Sequence, residues 1–239
     1  MAGSISPDIA DYFNYLPESS LNFVDVGAYS GSWKNENKDV CKKPGYWVGV
    51  EPNPYMGYAK HMFDLFFNVA LDNVEQPSKM KFNVNGDAMC SSLLRMKSEL
   101  ITHNFAERDS KWFVARDIDL VLEQVEVDVW SFKHLLDQVP KFQNENIHFI
   151  KIDTQGVDIR VVESMKGYLN KTYFIMIESV TSENKDVVLY EGQTTIKEDI
   201  ERMEKIGFKP FKVYDYSSHA SPEADVIFAN VNLVKPVQR

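Results

Sequence analysis

Residues 23–31 read FVDVGAYSG, and residues 147–156 read IHFIKIDTQG. Each is a short apolar run that closes on an acidic residue and then a glycine. Runs of this length, bounded by turn residues, predict buried strands of a parallel sheet. In the first run, Gly27 permits a tight turn out of the strand, and Gly31 permits close backbone approach before the next helix.

The rest of the chain alternates short β-rich runs with helical patterns, without internal repeats or low-complexity tracts. Further strands are expected at 46–51, 65–71, 173–178, 211–215 and 224–230. Ser6-Pro7 opens a first helix, and a second covers 156–169. A third covers 195–206, where Thr195 and Glu198 form a capping box and Gly207 supplies the stop. This alternation predicts one α/β domain with a parallel sheet covered by helices. The last two strands flank a short Ser/Pro-rich turn and should pair antiparallel. Residues 72–146 are too long for one crossover helix. They read as an insertion over the sheet's carboxyl edge, with a strand at 80–84, a helix over 91–101 and a strand then a helix over 125–139. The charged middle, 104–119, is either a flap or a surface loop.

Composition narrows the function classes. With 26 Lys+Arg and 35 Asp+Glu the formal charge is −9, and 44% of residues are apolar, enough for a real core. An acidic surface argues against nucleic-acid or membrane-surface partners, unless a local basic patch breaks the trend. No run of about 18 apolar residues occurs, and the first thirty residues lack a secretory pattern. Cys41 and Cys90 read as free thiols, and no His or Cys spacing suits a metal. A soluble, cytoplasmic protein is expected; oligomeric state has no signature.

The 23–31 turn differs from a dinucleotide-binding GxGxxG loop. Bulky Tyr29 follows Ala28 where a second glycine would let a pyrophosphate approach, and no P-loop lysine follows. The loop therefore suits a ligand without phosphates. In VGVEPNP (48–54), Glu51 falls 20 residues after Gly31, at the end of strand two. A carboxylate there can accept hydrogen bonds from both ribose hydroxyls. An acid in the first turn, no phosphate cradle and a ribose acid together point to a nucleoside with a cationic amino-acid arm, S-adenosylmethionine. Asp25 is then expected beside its ammonium group. The plainer alternative makes Asp25 a loop cap and Glu51 a solvated strand end.

Lys151, Asp153 and Gln155 stand at the carboxyl end of a central strand, and Glu178 ends the next one. Strand alternation puts Lys151 and Asp153 on one side. A Lys, an Asp and a Glu converging over a methyl donor form a candidate catalytic group. Asp153 is expected to take the acceptor's proton or orient it, with Glu178 as substitute. The alternative is a structural ion pair in which Lys151 neutralises Asp153 or Glu178.

Taken together, FVDVGAYSG, VGVEPNP, NVAL (68–71), SSLL (91–94), IHFIKIDTQGVDIRVVESM (147–165) and DVIFAN (225–230) resemble the FkbM-type methyltransferase family. The resemblance implies a Rossmann-like class I methyltransferase fold. That fold has a seven-stranded, mostly parallel sheet with an antiparallel last strand and helices on both faces. It also implies methyl transfer, usually to a hydroxyl oxygen, often on a sugar or natural product. Asp25, Gly27, Glu51 and Asn53 carry over as cofactor contacts, and Ala28, Tyr29 and Gly31 lie in the same loop. Asp87 is a candidate for the adenine amino group and Ser91 for the cofactor or acceptor, although turn and cap duties explain both equally well. Many relatives have Glu where this chain has Gln155 and where it has Asp158, so a role needing a carboxylate at position 155 is in question. The expected acceptor is a small molecule or glycan. The alternatives are an N- or C-directed methyltransferase, a non-catalytic nucleoside-binding module and a dinucleotide oxidoreductase.

Overall fold

The computed structural model describes residues 7–39, 41–97, 121–182, 188–216 and 222–234. Strands β1 (Leu21–Val26), β2 (Gly45–Val50), β3 (Leu65–Phe67), β4 (Ala70–Leu71), β5 (Ser78–Asn85) and β6 (Val121–Trp130) come first. They are followed by β7 (Ile147–Ile152), β8 (Thr172–Val180), β9 (Phe208–Asp215) and β10 (Glu223–Asn230). The described α-helices are α1 (Pro7–Asn14), α2 (Ser32–Asn37), α3 (Phe132–Asp137), α4 (Pro140–Asn144), α5 (Asp158–Glu163) and α6 (Ile196–Lys205). Among the described residues no helix is long and apolar enough to cross a membrane.

The main sheet has seven strands in the order β3-β2-β1-β7-β8-β10-β9. β1 runs parallel to β2 and β7, and β7 parallel to β8. β10 alone is antiparallel to its neighbours β8 and β9. This is the Rossmann-like topology expected from sequence. The chain winds outward from β1 to β3, then returns to β7 on the other side of β1. Loops leaving β1 and β7 therefore part in opposite directions, and a crevice opens at their carboxyl ends.

β1 and β7 are buried along their whole length, which is why their sequences read as continuous apolar runs. Alternation sends successive side chains to two different cores. Val24, Val26, Ile150 and Ile152 pack with α3, α5 and α6 through Leu135, Val161 and Met203. Phe23 and Phe149 face the other way, against Ile9 and Phe13 of α1 and the indoles of Trp33 and Trp47. Phe13 meets Phe23, Phe149 and Phe174 edge-on at 5.6–6.0 Å. Each such buried side chain contributes roughly 1.5–3 kcal/mol, so the sheet is clamped from both faces and the strand tips are held in register.

Three expectations are corrected. Residues 65–71 are not one strand. At Asn68 the side-chain amide turns to the Glu51 carbonyl (2.6 Å), and the chain leaves the main sheet. β4 then joins a second, three-stranded sheet in the order β4-β6-β5. Residues 91–97 are not helical. Leu93 packs on the small core of this second sheet, whereas Leu94 packs on the main core, so neighbouring side chains part to two different cores. Ser92 and Met96 bridge to Asn83 and Tyr190 instead. Finally, the helix expected over 156–169 stops at Glu163 and continues as a 3-10 segment, Lys166–Lys171, in which Lys166 has φ +50°. The charged stretch 104–119 lies outside the described residues.

Candidate functional site

The loop leaving β1 is shaped by close backbone contacts. Gly27 has φ +72°, and a Cβ there would sit 1.8 Å from the Asp153 carbonyl oxygen. Only glycine fits, so the tips of β1 and β7 can touch. The N–H groups of Gly27 and Ala28 both donate to the Val50 carbonyl at 3.0 Å. Tyr29, also left-handed at φ +47°, donates its N–H to Glu51 Oε2 at 2.8 Å. Gly31 (φ +75°) packs against the Met62 side chain and starts α2. The loop is thereby folded over the tip of β2.

Glu51 is buried there. Oε1 accepts from the Asn53 N–H (2.8 Å) and Oε2 from Tyr29. A carboxylate offers about four acceptor directions, so each oxygen keeps one for a ligand. Burial pushes the Glu51 carboxyl up to about 7, against the pull of the two N–H groups. The Asn53 side chain accepts from the Tyr55 N–H, while its Nδ2 is buried with no hydrogen-bond partner among the described residues. An unsatisfied donor beside a half-used carboxylate fits a ribose edge.

Across the crevice, Lys151 and Asp25 are register partners on β7 and β1. The Lys151 ammonium lies 3.0 Å from Asp153 Oδ2, 3.7 Å from Asp25 Oδ1 and 3.5 Å from the Gly27 carbonyl. Burial alone would disfavour the charge on Lys151, but the carboxylates of Asp153 and Asp25 outweigh it and hold the amine protonated. Asp25 is fully buried, neither oxygen accepts a hydrogen bond among the described residues, and burial pushes it up to about 6 despite Lys151. From sequence, Asp25 is expected beside a ligand ammonium; the ammonium beside it here is that of Lys151. Lys151 thus pairs with Asp25 and Asp153 rather than with Glu178.

Gln155 is the hinge of the group. It is left-handed (φ +57°), and its Nε2 donates to both Asp153 Oδ1 (2.7 Å) and Glu178 Oε2 (2.8 Å). Its Oε1 accepts from the Tyr190 hydroxyl (2.7 Å), and its backbone carbonyl from Ser92 Oγ (2.7 Å). A neutral amide therefore bridges two carboxyls and is itself oriented. Burial, together with the carboxylates of Glu223, Asp153, Asp225 and Asp158, raises Glu178 well above the usual carboxylate range. Asp225 faces Glu178 across the β8–β10 ladder and accepts from the Tyr216 hydroxyl. Asp153 is half-buried. Each of its oxygens accepts one hydrogen bond and keeps a free direction. Asp158 is a structural clamp, accepting from the N–H groups of Thr154 and Gly156, and burial raises it to about 7.

Asp87 caps the turn at 88–90 by accepting from the Met89 N–H, and Ser91 Oγ accepts from the Asn85 N–H. Next to them, the Cys90 carbonyl accepts from the Tyr190 hydroxyl at the crevice. Trp33 and Trp47 are core residues, while His103, Trp112 and His219 lie outside the described residues. The role of Tyr190 was not legible in sequence. It is a single tyrosine in a loop with no periodicity, although it is fully buried in the fold.

The chain is similar at low identity to solved methyltransferases. Mitomycin 7-O-methyltransferase MmcR aligns at 10% identity and TM-score 0.42, over 94% of this chain and 52% of that one. OxaC, solved with SAH and oxaline, aligns at 8% identity and TM-score 0.46, over 95% and 47%. A SAM-dependent methyltransferase from Aquifex aeolicus aligns at 10% identity and TM-score 0.40, over 95% and 100%. The chain spans about half the length of MmcR and OxaC. No curated protein matches by sequence. The family model of the methyltransferase FkbM domain, in contrast, matches residues 25–210, from the acid of the first turn to the middle of β9. The chain therefore belongs to the FkbM family of S-adenosylmethionine-dependent methyltransferases.

Proposed function

We propose that the chain methylates a hydroxyl oxygen on a sugar, glycan or other small molecule, with S-adenosylmethionine as donor. The observation that supports this most is a pair of acidic strand tips joined by one glycine loop. Glu51 keeps a free acceptor direction on each oxygen, and Asp153 does the same across the crevice. Glu51 would hold the ribose diol, Asn53 Nδ2 would donate to the same edge, and the 27–31 backbone would line the amino-acid arm. The donor supplies, when bound, a methyl group already activated by a positive sulfur.

Two tasks remain for the protein. Alignment of the acceptor contributes up to roughly 7–11 kcal/mol. Proton removal contributes about 10²–10⁴ in rate. Asp153 is suited to the second task, because it is partly exposed and oriented from both sides by Lys151 and Gln155. Glu178, expected from sequence as a substitute base, is raised well above the usual carboxylate range by burial, which disfavours its charged form.

Calorimetry with S-adenosylhomocysteine tests the first half, and methyl transfer to a panel of hydroxylated compounds tests the second. Saturable binding and turnover are expected. Asp153→Asn should lose about 10²–10⁴ in kcat with donor affinity retained. Binding without turnover on any acceptor would make the chain a nucleoside-binding module, and transfer confined to amines would make it N-directed. Saturable NAD binding in place of the donor would overturn the assignment.

A further inference from the structure

A second hollow lies on the outer face of the β5–β6 hairpin. It has a volume of about 530 Å³ and is lined by Lys81, Asn83, Leu94, Arg95, Gln124 and Glu191, among others. Its lining carries two cations and one carboxylate, in a chain of net charge −9. Lys81 stands opposite Glu126 in the β5–β6 register, yet Glu126 pairs with Lys79 at 3.2 Å. Among the described residues neither Lys81 nor Arg95 has a carboxylate partner. Lys81 and Arg95 both line this one concavity, and an anion held between two cations relieves their repulsion. The fork of an Arg guanidinium matches a carboxylate in particular.

The floor of the hollow is rigid. Asn83 Nδ2 donates to the carbonyls of Ser92 and Leu94, and its Oδ1 accepts from Gln124 Nε2. The Gln124 carbonyl and the Glu191 carboxylate remain as acceptors for hydroxyls. The wall is the segment 92–95, whose other side belongs to the reacting crevice. Ser92 Oγ donates to the Gln155 carbonyl, and Leu94 lies 3.2 Å from the position a Cβ on Gly156 would take. One short bent segment thus separates the hollow from the Asp153–Gln155–Glu178 group.

We propose that this hollow binds the anionic group of a hydroxylated acid, a uronic-acid sugar in chemical class. Arg95 and Lys81 take the carboxylate, and Gln124 and Glu191 take the hydroxyls. Its role as an acceptor subsite rests on the methyl-transfer reading above; the anion binding itself does not.

The test uses the whole protein, with D-glucuronate as probe and D-glucose as control. The readout is the NMR signals of the Arg95 guanidinium and the Lys81 side chain. Glucuronate is expected to shift both saturably and to bind at least about tenfold more tightly than glucose. Lys81→Glu with Arg95→Glu should abolish the saturable shift that glucuronate gives the Gln124 side-chain amide in wild type, while binding S-adenosylhomocysteine like wild type. If that variant does not fold, Lys81→Gln with Arg95→Gln makes the same test. Equal binding of glucose, non-saturating shifts, or glucuronate binding that survives in a folded variant overturns the proposal. Loss of S-adenosylhomocysteine binding in wild type would overturn the methyltransferase reading instead, whatever glucuronate does.

Discussion

Replacing Gln155 by Glu is the sharpest probe of the crevice. The amide donates to Asp153 at 2.7 Å and to Glu178 at 2.8 Å. A carboxylate in its place donates to neither and faces both. Burial disfavours the charged form of Glu178, which softens its contact with the newcomer. The contact with Asp153 has no such relief. Two like charges about 4 Å apart repel by about 4 kcal/mol at an effective dielectric of 20. Because Asp153 is 28% exposed, screening reduces this to about 2–3 kcal/mol. Repulsion holds the new carboxyl's pKa above its unfolded value near ~4.3. The variant's stability is therefore nearly intact below that value and is lost as pH rises through the folded pKa. Urea unfolding should place Gln155→Glu within about 1 kcal/mol of wild type at pH 4.5 and about 2–3 kcal/mol below it at pH 8. A deficit of equal size at both pH values would mean a packing defect, and no deficit at pH 8 would mean that the bridge is not charge-sensitive. Either result refutes the reasoning.

Gly27→Ala should be severely destabilising. It combines about 1–2 kcal/mol of left-handed strain with a clash against the Asp153 carbonyl, and both a lowered melting temperature and lost S-adenosylhomocysteine binding check it. A ligand diol prefers the ionised form of Glu51, whose carboxyl sits at about 7, so calorimetric affinity should rise between pH 6 and 8. In Glu51→Gln that pH dependence should vanish, with affinity about 10–100-fold weaker. The ligand-free protein should be more stable at pH 5 than at pH 8. Burial raises Asp25, Asp199 and Asp225 to about 6 and Glu51 and Asp158 to about 7, and stability from raised carboxyls is lost as pH climbs through those values. His148, lowered by burial and accepting from the Asn22 N–H, opposes this by losing stability as pH falls below about 6.5, but it is one group against five. A urea midpoint that rises from pH 5 to pH 8 would count against this balance.

What could be read from sequence was local and periodic. The apolar runs at 21–26 and 147–152 are buried on both faces, so their composition alone reveals central strands. The capping box at Thr195 and Glu198 forms as the spacing predicts. The acids at strand ends, Asp25, Glu51 and Asp153, were legible because strand order brings carboxyl ends to one edge. Errors came where a segment changes partners. Asn68 leaves the main sheet to bond a carbonyl of Glu51, and residues 91–97 split their side chains between two cores. Neither event leaves a periodic trace.

The sequence by itself determined which strands are central, which glycine must turn and which acids stand at the tips, because each follows from a few neighbouring residues. Only the tertiary structure decided what those acids do. It set Lys151 between Asp25 and Asp153, raised the Glu178 carboxyl by burial, and placed the Gln155 amide under the Tyr190 hydroxyl. Charge states and hydrogen-bond partners depend on burial and on residues far apart in the chain, and those distances exist only once the sheet has closed.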